Sequence, residues 1–180
     1  MTHIYYGNGK GKTTAATGLA VRAAGRGIPV CFVQFLKDGS SGEISILRNL
    51  PGVFLMHPPV SYGFTRNMTE EQKHKTAEIC RSLLAQVKLR VGAPCSTKPD
   101  AKDVASLIIL DEVLHAERHG FVTEDDLLEL IELAGEKNEL ILTGAQASEA
   151  LLAHADYVTN FVKEKHPFDA GVPARTGIER

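Results

Sequence analysis

Cysteine is scarce in this sequence and placed where it can do little. Cys31, Cys80 and Cys95 are odd in number and far apart, which excludes a disulfide frame and suits a reducing compartment. None has a second cysteine close enough for a zinc ribbon or finger. An excess of one charge is missing too. The 20 basic and 22 acidic residues leave a formal net charge of −2, too little to draw in nucleic acid or an anionic membrane. No apolar run reaches membrane-spanning length, and the opening "MTHIYYGNG" lacks the basic-then-apolar layout of a signal peptide. Internal repeats and low-complexity tracts are absent as well. What is left, at 43% hydrophobic and 23% charged, is the composition of a globular chain expected in the cytoplasm. Its 180 residues are expected to form one domain, 1–180, with a real core.

Apolar runs alternate with amphipathic stretches, the pattern of an α/β fold with a parallel sheet. "HIYY" (3–6) leads into a glycine loop, and Lys12 to Arg26 favours helix until "GRG" (25–27) ends it. "PVCFVQFL" (29–36) reads as a strand buried on both faces, with "VFLMH" (53–57) a third strand. Thr69 and Gln72 form a capping box for a long helix whose inner face is Thr76, Cys80, Leu83, Leu84, Val87 and Val91. A polar, surface-exposed loop is expected at 91–103, then a buried strand, "SLIIL" (106–110), ending at Asp111. Thr123 opens a helix with Leu127, Leu130, Ile131 and Ala134 inward and Gly135 closing it. "ELILTG" (139–144) and "YVTNFV" (157–162) supply the last strands.

Two motifs carry chemistry. In "YYGNGKGKTT" (5–14) a glycine turn joins a strand to a helix. Glycines let successive N–H groups point inward, and the helix N-terminus adds partial positive charge, so the turn can hold an anion. Gly7, Asn8, Gly9, Lys10, Gly11, Lys12, Thr13 and Thr14 are the candidate ATP-phosphate contacts. Lys12 can reach phosphate oxygens, and the Thr13 hydroxyl can ligate Mg²⁺ or Mn²⁺. The usual G-x-x-x-x-G-K-[ST] spacing needs a glycine where Tyr6 stands, so counting from Gly7 the loop is one residue short. That must redirect the first N–H groups of the cradle, while Lys10 adds a second positive charge within it. The second motif, "LIILDE" (107–112), delivers Asp111 and Glu112 at the carboxyl end of a hydrophobic strand. There they can hold a metal ion or its water shell near the phosphates. The same two acids could instead cap a helix. Arg22, ten residues beyond Lys12, either contacts nucleotide or faces solvent. His115 and His119 lack the glutamate placement of H-E-x-x-H and read as surface or boundary residues. A metal–nucleotide site does not fix the reaction, since kinases, hydrolases and mechanical ATPases share it.

Further residues narrow the choice. "GNGKGKTTAA" (7–16), "VQFLK" (33–37), "GE" (42–43), "GFT" (63–65), "LDE" (110–112), "LTG" (142–144) and "KHPFDAGVPARTGIE" (165–179) occur in order over nearly the whole chain. Together they resemble the ATP:corrinoid adenosyltransferases. The resemblance implies a RecA-like P-loop NTPase fold, with a mostly parallel central sheet flanked by helices. It implies transfer of the 5′-deoxyadenosyl group of ATP to the Co(I) centre of cobalamin or a related corrinoid, with triphosphate leaving. ATP would lie reversed relative to ordinary P-loop enzymes, its ribose C5′ toward the corrinoid, and the short loop would be adapted to a departing triphosphate. By position, Lys12 stabilises that leaving group, Thr13 and Glu112 contact the metal beside Asp111, and Arg22 lies near the nucleotide. Phe64 matches an aromatic that helps displace the corrinoid's lower ligand, which makes Co(II) easier to reduce. Asp169 and Arg175 are corrinoid candidates, although a tail rich in glycine and proline can equally just pack on the sheet. A flavoprotein electron donor and a homodimer are the implied partners.

Three departures from the family stand out. Its members often carry tryptophan two positions after that phenylalanine; here it is Arg66, and the chain has no tryptophan. The arginine that commonly follows "TG" is Ala145. The amino-terminal extension that folds over the site in some relatives is expected to be lacking. Two other functions stay open at this point: a kinase or ATPase acting at the γ-phosphate, and a non-catalytic, ATP-dependent corrinoid-binding protein.

Overall fold

The computed structural model describes residues 1–91 and 105–178. Apart from Val91, the expected loop at 91–103 lies outside them, as does Cys95. In chain order the elements are β1 (Thr2–Tyr6), α1 (Lys12–Ala24), β2 (Val30–Gln34), α2 (Gly42–Leu47), β3 (Val53–Met56) and α3 (Glu70–Val91). They continue with β4 (Ser106–Asp111), α4 (Val113–Arg118), α5 (Glu124–Ala134), β5 (Asn138–Thr143), α6 (Glu149–Ala153) and β6 (Tyr157–Asn160). All six strands join one sheet in the order β3-β2-β4-β5-β1-β6, every pairing parallel.

Parallel neighbours need crossovers, and the hydrophobic pattern shows which face each crossover covers. Along β4, Leu107 and Ile109 pack with Ala16, Ala20, Ile44 and Leu47 of α1 and α2. Ile108 and Leu110 point the other way, toward Cys80, Leu84 and Val87 of α3 and Leu127 and Leu130 of α5. The same alternation runs through β2, with Val30 and Phe32 on one side and Cys31 and Val33 on the other. A strand apolar at every position is therefore one that feeds two cores.

The capping box at Thr69 is formed as expected. Thr69 N donates to Gln72 Oε1 at 2.9 Å and Gln72 N to Thr69 Oγ1 at 3.2 Å. Thr123 makes the reciprocal arrangement with Asp126 at the start of α5. Several ends are shorter than the sequence pattern predicts. Helix α1 stops at Ala24, where Gly25 N bonds back to Val21 O and Gly27 takes a φ of +74°. The second strand is five residues, Val30–Gln34, and the last is Tyr157–Asn160, all of it exposed on the sheet edge. Phe161 and Val162, expected in that strand, instead leave it to cross the glycine loop, with Gly9 N bonded to Phe161 O.

Candidate active site

The glycine loop leaves the carboxyl end of β1 between the continuations of its two neighbours. Tyr6, in the place of the missing glycine, is still strand: it pairs with Asn160, and its carbonyl accepts from Phe161 N at 2.7 Å. The loop is short because β1 runs one residue further. Its first amides are then used structurally, Gly7 N donating to Ala145 O at 3.0 Å and Gly9 N to Phe161 O at 2.6 Å. A Cβ on Gly7 would come within 2.4 Å of Phe161 O, and one on Gly9 within 2.7 Å of the same atom. Glycine is demanded there by the approach of a neighbouring backbone as much as by an anion. Further donors come from the first turn of α1, whose N–H groups have no intrahelical carbonyl to bind. Lys12 folds back over the loop, Nζ donating to Gly7 O and Gly9 O, both at 2.8 Å. Burial, only partly offset by Glu112 and Asp111, pulls its ammonium below the ordinary lysine value.

Asp111 ends β4 with no exposed surface. Its Oδ1 accepts from Thr13 Oγ1 at 2.7 Å and from Thr143 Oγ1 at 2.9 Å. Its Oδ2 faces Lys37 Nζ at 3.2 Å and Gln34 Nε2 at 3.5 Å. Burial pushes the Asp111 carboxyl up, opposed first by Lys37. Lys37 is held up in turn: burial lowers it, but Asp111 and Glu112 outweigh that. Glu112 is the one non-glycine residue with positive φ, +66°, among those described. That turn starts α4 and lets Glu112 N donate to Thr143 Oγ1 at 2.9 Å while its side chain faces His115 Nδ1. Burial raises the Glu112 carboxyl, yet His115, Lys37 and Lys12 together leave it below the usual carboxylate range.

The structure thus brings Lys12, Thr13, Asp111 and Glu112 together. It adds Lys37, Gln34, Glu43 and Thr143, to which the sequence analysis assigned no role. Gln34 Nε2 also donates to Glu43 Oε1 at 3.1 Å, tying the start of α2 into the cluster. A polar residue closing an otherwise apolar strand, as Gln34 and Thr143 do, is the signal that could have found them. Arg22 is exposed in the last turn of α1, about 15 Å along the helix from Lys12. Burial raises the Tyr5 phenol, and the charge of Arg22 opposes that. Thr14 is exposed in the first turn. Phe64 is 72% exposed on the segment after β3, with the Arg66 guanidinium 5.3 Å from its ring centre. Asp169 pairs with Lys163, Nζ lying 2.9 Å from each carboxylate oxygen. Asn8 Oδ1 accepts from Lys163 N at 2.9 Å, so the carboxyl-terminal segment is fastened to the loop. Arg175 lines the cleft between them.

A parallel sheet with helices on both faces, a glycine loop opening a helix after β1 and a buried aspartate ending β4, one strand removed across β5, define a nucleotide-binding protein of the P-loop type. The fold agrees with the EssC protein (ATPases 2 and 3) of Geobacillus thermodenitrificans, at a TM-score of 0.52 over 98% of this chain and 34% of that one, with 14% identity. The family of ATP:corrinoid adenosyltransferases BtuR/CobO/CobP matches residues 1–180, and the chain belongs to it. Its relatives include the corrinoid adenosyltransferase of Pseudomonas aeruginosa, 33% identical over 98% of this chain and 81% of that protein. The corrinoid adenosyltransferases of Escherichia coli K12 and Salmonella typhimurium are 31% and 30% identical, each over 98% of this chain and 83% of theirs. The family is one of transferases, which move the adenosyl group of ATP to a reduced corrinoid.

Proposed function

We propose that this chain carries out that transfer with the triphosphate of ATP gripped by Lys12, Lys10 and the first turn of α1, and C5′ turned toward the corrinoid. The observation that carries the reading is the Thr13 Oγ1 to Asp111 Oδ1 bond at 2.7 Å. It makes the loop and the acidic strand end one unit in a chain whose family match spans residues 1–180.

Reduced cobalt is itself a strong nucleophile, so the protein needs no base to activate it and has mainly to position it. Charge collects on the departing triphosphate as the C5′–O bond breaks. Lys12, already aimed into the loop, neutralises that charge. Asp111 has both oxygens engaged, so it acts chiefly by orienting Thr13, whose lone pairs stay available. Thr13 and Glu112, with Asp111 behind them, offer a hydroxyl and carboxylates. An all-oxygen donor set suits Mg²⁺ or Mn²⁺, which takes its other ligands from phosphate and water. Bound there, the ion would supply further positive charge against the phosphates. Burial raises the Asp111 carboxyl, and the Lys37 ammonium, 3.2 Å from its Oδ2, opposes that.

On the corrinoid side, we assign displacement of the lower ligand to exposed Phe64, with the Arg66 guanidinium 5.3 Å from its ring centre where many relatives have tryptophan. The replacement of arginine by Ala145 leaves one function intact, because its carbonyl anchors Gly7. Among the described residues no helix is long and apolar enough to cross a membrane. A cytoplasmic setting and a flavoprotein reductant belong to the reading on composition and family resemblance alone. We include a homodimer in the reading, on the family resemblance alone. The test is direct: supply Mg-ATP and chemically reduced corrinoid, then identify both products. Triphosphate and an adenosylated corrinoid are expected. ADP with inorganic phosphate, or ATP binding without turnover, would overturn the reading.

A further inference from the structure

Beside the glycine loop lies a cleft of about 340 Å³, walled by Lys10 on the loop and by Lys163, Lys165, His166 and Arg175 on the carboxyl-terminal segment. Four side chains of fixed positive charge meet there, with the Asp169 carboxylate paired to Lys163. In a chain of net charge −2 this concentration is local, and it is contiguous with the phosphate loop because Lys10 belongs to both. The two walls are also fixed to each other. Asn8 Oδ1 accepts from Lys163 N, and Gly9 N donates to Phe161 O, so the basic residues are held at the mouth of the loop.

We propose that this cleft is a second anion subsite, which takes the outer end of a polyphosphate chain whose inner end sits in the loop. Proximity favours polyphosphate over an unrelated anion, since a chain of linked phosphates can follow Lys10 from one site into the next. The proposal rests on the loop being a phosphate site, and gives the tail a positioning role: it holds the outer end of the leaving group. Lysine ammonium groups in a partly open cleft contribute as point charges, so the effect should grow with ligand length and weaken with salt.

The test measures binding of inorganic orthophosphate, pyrophosphate and tripolyphosphate to the full chain by calorimetry. Lys163→Gln/Lys165→Gln should weaken tripolyphosphate about five- to tenfold, while pyrophosphate changes less than about twofold. Replacing the pair instead by Lys163→Arg/Lys165→Arg, which keeps both charges, should retain most of the affinity. Equal losses for the two ligands, or no loss for tripolyphosphate, would overturn the second subsite even where Lys12→Ala abolishes all binding. Tripolyphosphate binding that survives Lys12→Ala undiminished would instead overturn the phosphate assignment of the loop. Unchanged melting temperatures in the two tail variants separate a lost ligand contact from a loosened fold.

Discussion

The two halves of the candidate site are built differently. On the phosphate side, Asp111 is wholly buried and receives bonds from Thr13, Thr143, Lys37 and Gln34, which come from three separate segments of the chain. On the side proposed for the corrinoid, Phe64 is 72% exposed. The difference is energetic. Ordering the first half is completed on folding, so binding a polyphosphate there costs little rearrangement. In the proposed reading, ordering the second half falls to the corrinoid, so Phe64 can be changed without loss of stability and shows its effect only in activity.

Removing Lys12 should break the phosphate half most severely. Lys12→Ala takes away the ammonium that bridges Gly7 O and Gly9 O and faces the leaving group. Turnover should fall about 10²- to 10³-fold, as when a preorganised charge donor is lost from other active sites. Product assay at saturating corrinoid checks this, and near-normal turnover would contradict the placement of the triphosphate.

Gly9→Ala comes next, because it strikes the seam where the loop meets the carboxyl-terminal segment. The added methyl lies 2.7 Å from a backbone oxygen, Phe161 O, which cannot rotate away. A cost of about 1–3 kcal/mol is expected, through strain and the loss of the Gly9 N bond. Denaturant unfolding measures it. A variant as stable as the parent would mean the segment is free to shift.

How far the two halves could be read in advance follows from the same physics. The strand cores, α1, α3 and α5 stand out because each repeats its pattern for several residues or turns. Helix α2, at six residues, and α6, at five, are too short to show a period and went unread. Within the site, Lys12, Thr13, Asp111 and Glu112 are legible from spacing because one loop and one strand end supply them. Lys37, Gln34 and Thr143 are not, since only the sheet order brings β2 and β5 to either side of Asp111. Nor does spacing reveal that Gly7 and Gly9 serve packing, because the carbonyls they approach lie on distant segments.

Phe64→Ala sharpens the contrast from the other side. Stability should be unchanged within about 0.5 kcal/mol, as the ring is mostly in solvent and its partner is exposed Arg66. Activity should drop about tenfold or more when the corrinoid is supplied as Co(II) with a weak reductant, and much less with pre-formed Co(I). Equal losses in both assays would remove Phe64 from a role in lower-ligand displacement.

The smallest effect concerns Glu112, where the phosphate half reaches its rim. Its carboxyl titrates below the ordinary range in the folded chain: burial raises it, but His115, Lys37 and Lys12 lower it further. A depressed folded value means the ionised form contributes stability above the unfolded value, near pH ~4.3, and that this contribution disappears as pH falls through the folded value. Glu112→Gln keeps the shape and removes the charge, so it has nothing to lose on acidification. The variant should therefore melt on the order of a degree or two below the parent at pH 7, and the two curves should converge in the acid carboxylate range. A gap that stays constant into that range would place the cost of the substitution in the left-handed backbone turn rather than in the charge.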